Sequence, residues 1–246
     1  MYAFRASHGP VDLAFTDRLG GVSGVPYAEL NLALDDADDP AARAENLRRV
    51  VTDFAPDLAA DLRSHVVQVR QVHGAAVDLV DDRSAGDALP EADGMVATDP
   101  GAILVVRTAD CLPVLLADPG TGVIAAAHAG RPGMVAGVVP ATVARMRELG
   151  AHHITAWLGP HICGACYEVP AQMQAEVVDR VPASRATTSW GTPSVDIGAG
   201  VRAQLEALDV EVLEVGGCTR ESTDLYSYRR DGAQAGRLAG LIRRRT

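Results

Sequence analysis

Three side chains suited to chemistry sit inside an otherwise apolar stretch. Residues 105–133 read VVRTADCLPVLLADPGTGVIAAAHAGRPG, and Asp110, Cys111 and His128 stand where a buried hairpin would carry Val or Ile. Burying an acid, a thiol and an imidazole costs desolvation, so their company needs a reason. A hairpin loop centred on Pro119-Gly120 pairs Ala117 with Gly122 and Cys111 with His128. Directly opposed residues on one face of an antiparallel pair have Cβ atoms about 4.5–5.5 Å apart, close enough for thiol and imidazole to meet. Two chemistries use such a pair. One is a Cys nucleophile with a His base. The other is a metal site in which thiolate and imidazole are two of the ligands.

A third metal ligand is at hand. VRQVHGAAV places His73 at a strand end just before Gly74. Two His and one Cys with an open fourth position form a catalytic zinc pattern, whereas a closed structural site would need a fourth ligand such as Cys163 or His161. GPHICGACYEV carries Cys163 and Cys166 as C-x-x-C, which suits half a zinc site or a redox pair. No second C-x-x-C exists and Cys218 stands alone, so the balance favours loop thiols. The zinc-deaminase signature fails, because Ala129-Gly130 follows His128 and Ile162 precedes Cys163. Lysine is absent, which excludes Schiff-base chemistry and a P-loop lysine. Any anion must be held by Arg, by backbone N–H groups or by a metal. Arg18, before a Gly-rich turn, and Arg229 and Arg230, in YSYRRDG, are candidates for phosphate.

The elements that position these groups follow from pattern and punctuation. DLAFTDR and LNLALDD read as short strands, with a Gly/Pro-marked loop over GGVSGVPY. DPAARAENLRRVVTDF predicts a helix with Asp39 as N-cap, Pro40 at N1 and an apolar stripe of Leu47, Val50, Val51 and Phe54. SHVVQVRQVHGAAVDLV is strand-like with a bend at Gly74, and DDRSAGDALPEADG is a polar loop. PATVARMRELG, PAQMQAEVVDRV and GAGVRAQLEAL are helical; HITAWLGP, VEVLEVGG and RLAGLIRR are strands; DLYSYRRDGAQAG is a loop. The expectation is a single α+β or α/β domain over 1–246, with strands dominating the first half.

Bulk properties narrow the classes. The chain has 246 residues, 48% hydrophobic and 22% charged, as an ordinary globular protein has. A net charge of −10 argues against nucleic acid or an anionic membrane as partner. No stretch reaches the ~20 apolar residues of a membrane span. MYAFRASHGP lacks the apolar run of a signal peptide, so the expected location is the cytoplasm. Four Cys at uneven spacing in a reducing compartment do not read as a disulfide framework.

The pieces RLGGVSGVPYAELNLAL, QVHGAAV, DGMVATDPGAILVVRTADCLPVLLADP, AAAHAG, LGPHICGACYEV and CTRESTDLYSYRRDGAQAGRLA cover nearly the whole chain. In combination they resemble a family named variously polyphenol oxidase (laccase-like), purine nucleoside phosphorylase and peptidoglycan editing factor. The resemblance implies a four-layer α/β/β/α sandwich, similar to cytotoxic-necrotising-factor-like Cys hydrolases. It implies a zinc site on His73, Cys111 and His128, with copper as the alternative. It also implies phosphorolysis of adenosine, inosine and methylthioadenosine, together with adenosine deamination. Asp110 would move the proton, with Glu168 the second candidate; Arg18 and Arg229 would steady phosphate, and Gln71 of QVHG would touch substrate. A metal-free Cys111–His128 amide hydrolase acting on peptidoglycan precursors, a copper phenol oxidase and a structural-zinc binding module are the competing readings. A multicopper cluster sits badly with seven scattered histidines. The family usually continues A-H-A-G-W-R-G, whereas this chain has Arg131-Pro132 in place of Trp-Arg, and His161 stands where many relatives carry a small residue or Cys.

Overall fold

The computed structural model describes residues 1–80 and 89–245. In chain order the elements are β1 (Tyr2–His8), β2 (Val11–Thr16), α1 (Pro40–Phe54), α2 (Leu62–His65), β3 (Val66–Val67), β4 (Val77–Val80), β5 (Gly94–Ala97), β6 (Ile103–Thr108), β7 (Leu112–Asp118) and β8 (Val123–Ala129). They continue as α3 (Arg131–Ala136), α4 (Val138–Glu148), β9 (Thr155–Leu158), α5 (Ala171–Arg180), β10 (Arg185–Thr187), β11 (Pro193–Val195), α6 (Ile197–Glu206), β12 (Glu211–Glu214), α7 (Tyr228–Asp231) and β13 (Leu238–Arg244). Among the described residues the strands form a five-stranded sheet β1-β2-β13-β6-β3, a six-stranded sheet β12-β9-β7-β8-β5-β4 and a small β10-β11 pair.

Side-chain alternation stacks these into layers. In β6, Leu104 and Val106 face one way and Ile103 and Val105 the other. The first pair meets Leu115 and Ala117 of β7 and Ile124 and Ala126 of β8 in a core between the two large sheets. The second pair packs under Val50, Val51 and Phe54 of α1. The opposite faces of β7 and β8 carry Val114, Leu116, Ala125 and Ala127 against α3, α4, α5 and α6. The order is helix, sheet, sheet, helices: a mixed α+β sandwich. Burial on both faces explains why β7 and β8 are continuous apolar runs, each large side chain contributing ~1.5–3 kcal/mol.

Helix α1 begins as the sequence predicts. Asp39 caps it by accepting the Ala41 N–H at 2.9 Å, with Pro40 in the first turn. Two other expectations are corrected. LNLALDD forms no strand; Asn31 and Asp36 within it bond to each other at 2.7 Å, and Asn31 also meets Asp38 at 3.0 Å. SHVVQVRQVHGAAVDLV is not one strand: only β3 and β4 form, and His73 lies in a loop with φ 60, a left-handed conformation rather than a strand end. The GRPG tail of the hairpin is the start of α3, with Pro132 in its first turn. Residues 81–88 of the expected polar loop lie outside the described residues.

The hairpin register also differs. The turn is Pro119–Gly122, closed by the Gly122 N–H donating to the Asp118 carbonyl at 2.8 Å, with Gly122 at φ 76. Asp118 braces it, accepting from the N–H of Gly120 at 2.9 Å and from those of His152 and His153 at 2.7 and 3.1 Å. The loop is therefore centred one residue later, and Pro113, not Cys111, opposes His128. A slip of two preserves the face because strand side chains alternate with period two. Cys111 becomes a diagonal rather than a direct neighbour of His128, still within reach of a long side chain.

Candidate metal centre

The chain crosses from one sheet to the other at Ala109–Cys111, between β6 and β7. Asp110 makes that corner with φ 86. Its Oδ1 accepts the Thr219 hydroxyl at 2.6 Å and its Oδ2 the Arg229 N–H at 2.6 Å, so the carboxylate clamps two later loops to the corner. Cys111 follows, half-buried, at the end of β7 where β8 delivers the buried His128.

Asp93, immediately before β5, completes the arrangement. β5 pairs with β8, and the His128 N–H donates to the Asp93 carbonyl at 2.7 Å. The Asp93 carboxylate collects three consecutive backbone donors, Val72 at 3.1 Å, His73 at 3.0 Å and Gly74 at 2.7 Å. It also receives His128 Nδ1 at 2.7 Å. These bonds bend the His73 loop into its left-handed turn and leave Nε2 of His128 to face the thiol. The two imidazoles stack edge to face, centroids 4.7 Å apart.

One ligand atom from each of His73, Cys111 and His128 lies within 4.8 Å of the others. Nε2 of His73 is 3.7 Å from Cys111 Sγ. Sulfur and nitrogen at zinc-ligand lengths in a tetrahedron stand about 3.6 Å apart, so the donors fit. Gly130 keeps the cradle open: a Cβ there would come within 2.7 Å of His73 Cδ2 and 3.0 Å of Cys111 Sγ. Burial alone would push the Cys111 thiol up, but the imidazoles of His128 and His73 hold it at about 6. Burial would lower His128; the Cys111 thiolate and the Asp93 carboxylate raise it to about 9. Burial likewise opposes the ionised form of Asp93, yet His128 and the N–H groups of Gly74 and Val72 hold it below the usual carboxylate range.

The trio opens on a cavity of about 990 Å³ lined also by Arg70, Arg107, Arg131, Tyr167, Tyr228 and Arg229. Of the residues expected at the site, His73, Cys111, His128, Asp110, Gln71 and Arg229 line it, whereas Arg18 and Glu168 do not. Arg18 clasps the Ala28 carbonyl at 2.9 and 2.7 Å and lies on the Tyr226 ring. Glu168 accepts the Trp190 indole N–H at 2.9 Å. Gln71 lends its amide to β6, giving to the Arg107 carbonyl at 2.7 Å and accepting its N–H at 2.9 Å. The ligand group of this site includes neither His161 nor Cys163 among the described residues. Nor does Cys218 stand alone: it gathers with Cys163, Cys166 and Glu221 in a separate cluster.

Sequence reasoning missed Asp93 and Arg107. Asp93 sits in the ADG that starts β5, where an acid beside a buried strand is the available signal. Arg107 interrupts the apolar run of β6; it is buried, gives Nε to the Leu32 carbonyl at 2.5 Å, bonds Gln68 and has no partner at Nη1 among the described residues. Burial lowers it to about 10, with Asp35 opposing.

Residues 12–245 match the family model described as multi-copper polyphenol oxidoreductase laccase. The chain is 52% identical over 238 residues to purine nucleoside phosphorylase ORF3 of Streptomyces griseus, covering 95% of this chain and 94% of that one. It is 37% identical over 229 residues to purine nucleoside phosphorylase YfiH of Escherichia coli, covering 92% and 90%. Among solved structures, protein NMB0706 of Neisseria meningitidis superposes with a TM-score of 0.83 at 31% identity over 99% of both chains. YlmD from Geobacillus stearothermophilus does so with a TM-score of 0.83 at 28% identity, over 98% and 96%.

Proposed function

This chain belongs to the laccase-like polyphenol oxidoreductase family, and we propose that it is a cytoplasmic, zinc-dependent purine nucleoside phosphorylase that also deaminates adenosine. The proposed substrates are adenosine, inosine and methylthioadenosine. The observation that carries this reading is the His73–Cys111–His128 cradle opening on a large arginine-lined cavity. The names of the relatives, purine nucleoside phosphorylases, point the same way.

His73, Cys111 and His128 would hold the zinc, which when bound supplies a Lewis acid and lowers the pKa of a water. Asp93 fixes His128 in the tautomer that presents Nε2, as carboxylates behind metal-binding imidazoles do. Asp110 acts by position, since both its oxygens are engaged in tying Arg229 and the Thr219 loop to the corner beside Cys111. In a chain without lysine, the cationic side chains that can meet phosphate charge are arginines. Arg229 is the first candidate; Arg107, Arg70 and Arg131 line the same cavity. The Tyr228 ring, 55% exposed, offers the base a stacking face.

Of the seven histidines, only His73 and His128 share a ligand group among the described residues, which disfavours a multicopper cluster. A metal-free thiol hydrolase is the second reading, favoured by the cysteine lying within reach of a buried imidazole that a carboxylate orients.

The test is to incubate the purified chain with adenosine, with and without phosphate. Phosphate-dependent adenine and phosphate-independent inosine are expected, and both should fall when zinc is removed. If neither product forms, the purine assignment is dropped. Selective alkylation of Cys111 in a metal-free, amidase-active protein would favour the hydrolase.

A further inference from the structure

On a separate pair of loops, Cys163, Cys166, Cys218 and Glu221 each offer one ligand atom, all within 4.8 Å of one another. None of them lines the cavity. Cys163 and Cys166 form a tight turn, the N–H groups of Cys166 and Tyr167 both donating to the Cys163 carbonyl at 3.0 Å. Cys218 and Glu221 bracket a second turn, closed by the Ser222 N–H donating to the Cys218 carbonyl at 3.1 Å. The two turns are laced together. His161 and Cys218 form a parallel bridge in which the Thr219 N–H donates to the His161 carbonyl at 3.0 Å.

A C-x-x-C turn thus faces a C-x-x-E turn, a spacing that delivers paired ligands from two sides. The Cys163 N–H points at Cys218 Sγ, 3.5 Å away, as an amide that offsets thiolate charge would. Cys166 Sγ lies 3.4 Å from Glu221 Oε1. A thiolate and a carboxylate oxygen on a tetrahedral zinc stand about 3.5 Å apart. Three sulfurs exclude the hard, oxygen-seeking cations and suit a borderline-soft one. All four cysteines of the chain are free thiols.

The geometry points to a second metal site, closed and structural, in which Cys163, Cys166, Cys218 and Glu221 hold one zinc ion. The ion would act as a staple behind the cavity wall. Thr219, next to Cys218, bonds Asp110 Oδ1 at 2.6 Å; the N–H of Ile162, next to Cys163, donates to the Asp110 carbonyl at 3.0 Å. Tyr167, next to Cys166, lies under the Arg229 guanidinium at 4.9 Å. This second site shares no ligand with the nucleoside site and does not depend on its chemistry.

Metal analysis of the full chain purified without added metal tests it. The wild type is expected to carry two zinc ions per chain and Cys111→Ser one, resistant to mild chelation. In Cys111→Ser the remaining thiols should react with a thiol reagent only after zinc is stripped. Cobalt loaded into Cys111→Ser should show the intense sulfur-to-metal charge-transfer absorption of a multi-thiolate site. Cys163→Ser with Cys218→Ser should lose one ion; if that double variant does not fold, the Cys111→Ser measurements decide alone. A Cys111→Ser protein without metal overturns the proposal. So does a disulfide among Cys163, Cys166 and Cys218 in a non-reduced digest.

Discussion

Two clusters of metal-capable side chains sit on either side of Asp110, and they are built on opposite plans. His73, Cys111 and His128 come from two neighbouring strand ends of one sheet and a loop, number three, and face the cavity. Cys163, Cys166, Cys218 and Glu221 come from two laced turns, number four, and face none of it. Their electrostatics differ in the same sense. Burial opposes both thiolates, but imidazoles surround Cys111 and bring it to about 6, whereas burial and its neighbouring thiols push Cys163 up to about 12. Three ligands with an open position are what reaction chemistry needs, and four with none are what a fastener needs. The lesson is that ligand type alone does not separate the two roles; the count and the facing space do.

The comparison can be broken most sharply at Cys111. Cys111→Ser should bring purine release to background while leaving the other cluster's ion in place; residual full activity would equate the two sites. Next comes Asp93→Asn, which loses the charge that orders His73, His128 and their loop. Its expected cost is about 10–100-fold in activity or in zinc affinity, read by turnover and by competition with a chelator. Gly130→Ala places a methyl against His73 and Cys111, and overpacking of ~1–3 kcal/mol should weaken zinc binding roughly tenfold without touching the sulfur-rich cluster.

A fourth variant separates scaffold from site. At the far end of the same hairpin, burial raises Asp118 but the N–H groups of His152, His153, Gly120 and Thr121 outweigh it and hold the carboxyl below its ordinary value. A depressed native pKa means stability present above the unfolded value of ~3.9 and lost as pH falls through the native one. Asp118→Ala should therefore lower Tm at neutral pH by several degrees, each kcal/mol being about 2–4 °C in a chain of this size. The deficit should shrink below pH ~4, and both metal contents should stay unchanged. The smallest effect is expected at Arg131, which lines the cavity. Restoring the aromatic residue of the family pattern, Arg131→Trp, should lower KM for nucleosides a few-fold and leave kcat nearly unchanged.

What the sequence made legible was periodicity and residue type. The α1 cap and the apolar runs of β7 and β8 follow from local rules. Residue type alone singles out the trio, and a register displaced by two still puts Cys111 and His128 on one face. What stayed hidden depends on distant pairing. Asp93 reaches His128 because β5 lies beside β8, and it reaches His73 because the loop folds onto it. Cys218 meets the C-x-x-C turn through a bridge to His161, across a separation no local pattern encodes. Arg18 fits a phosphate site by type, yet the fold spends its guanidinium on the Ala28 carbonyl.

Asp93 has a kinetic consequence as well. Its carboxylate is already filled by three amides and an imidazole, so the ligands around it are arranged by protein contacts alone. A zinc finger must fold to meet its ion; here the ion would meet a finished receptor. Metallation of the His73–Cys111–His128 site should then be a simple second-order capture, its rate proportional to free metal and indifferent to the chain's refolding time.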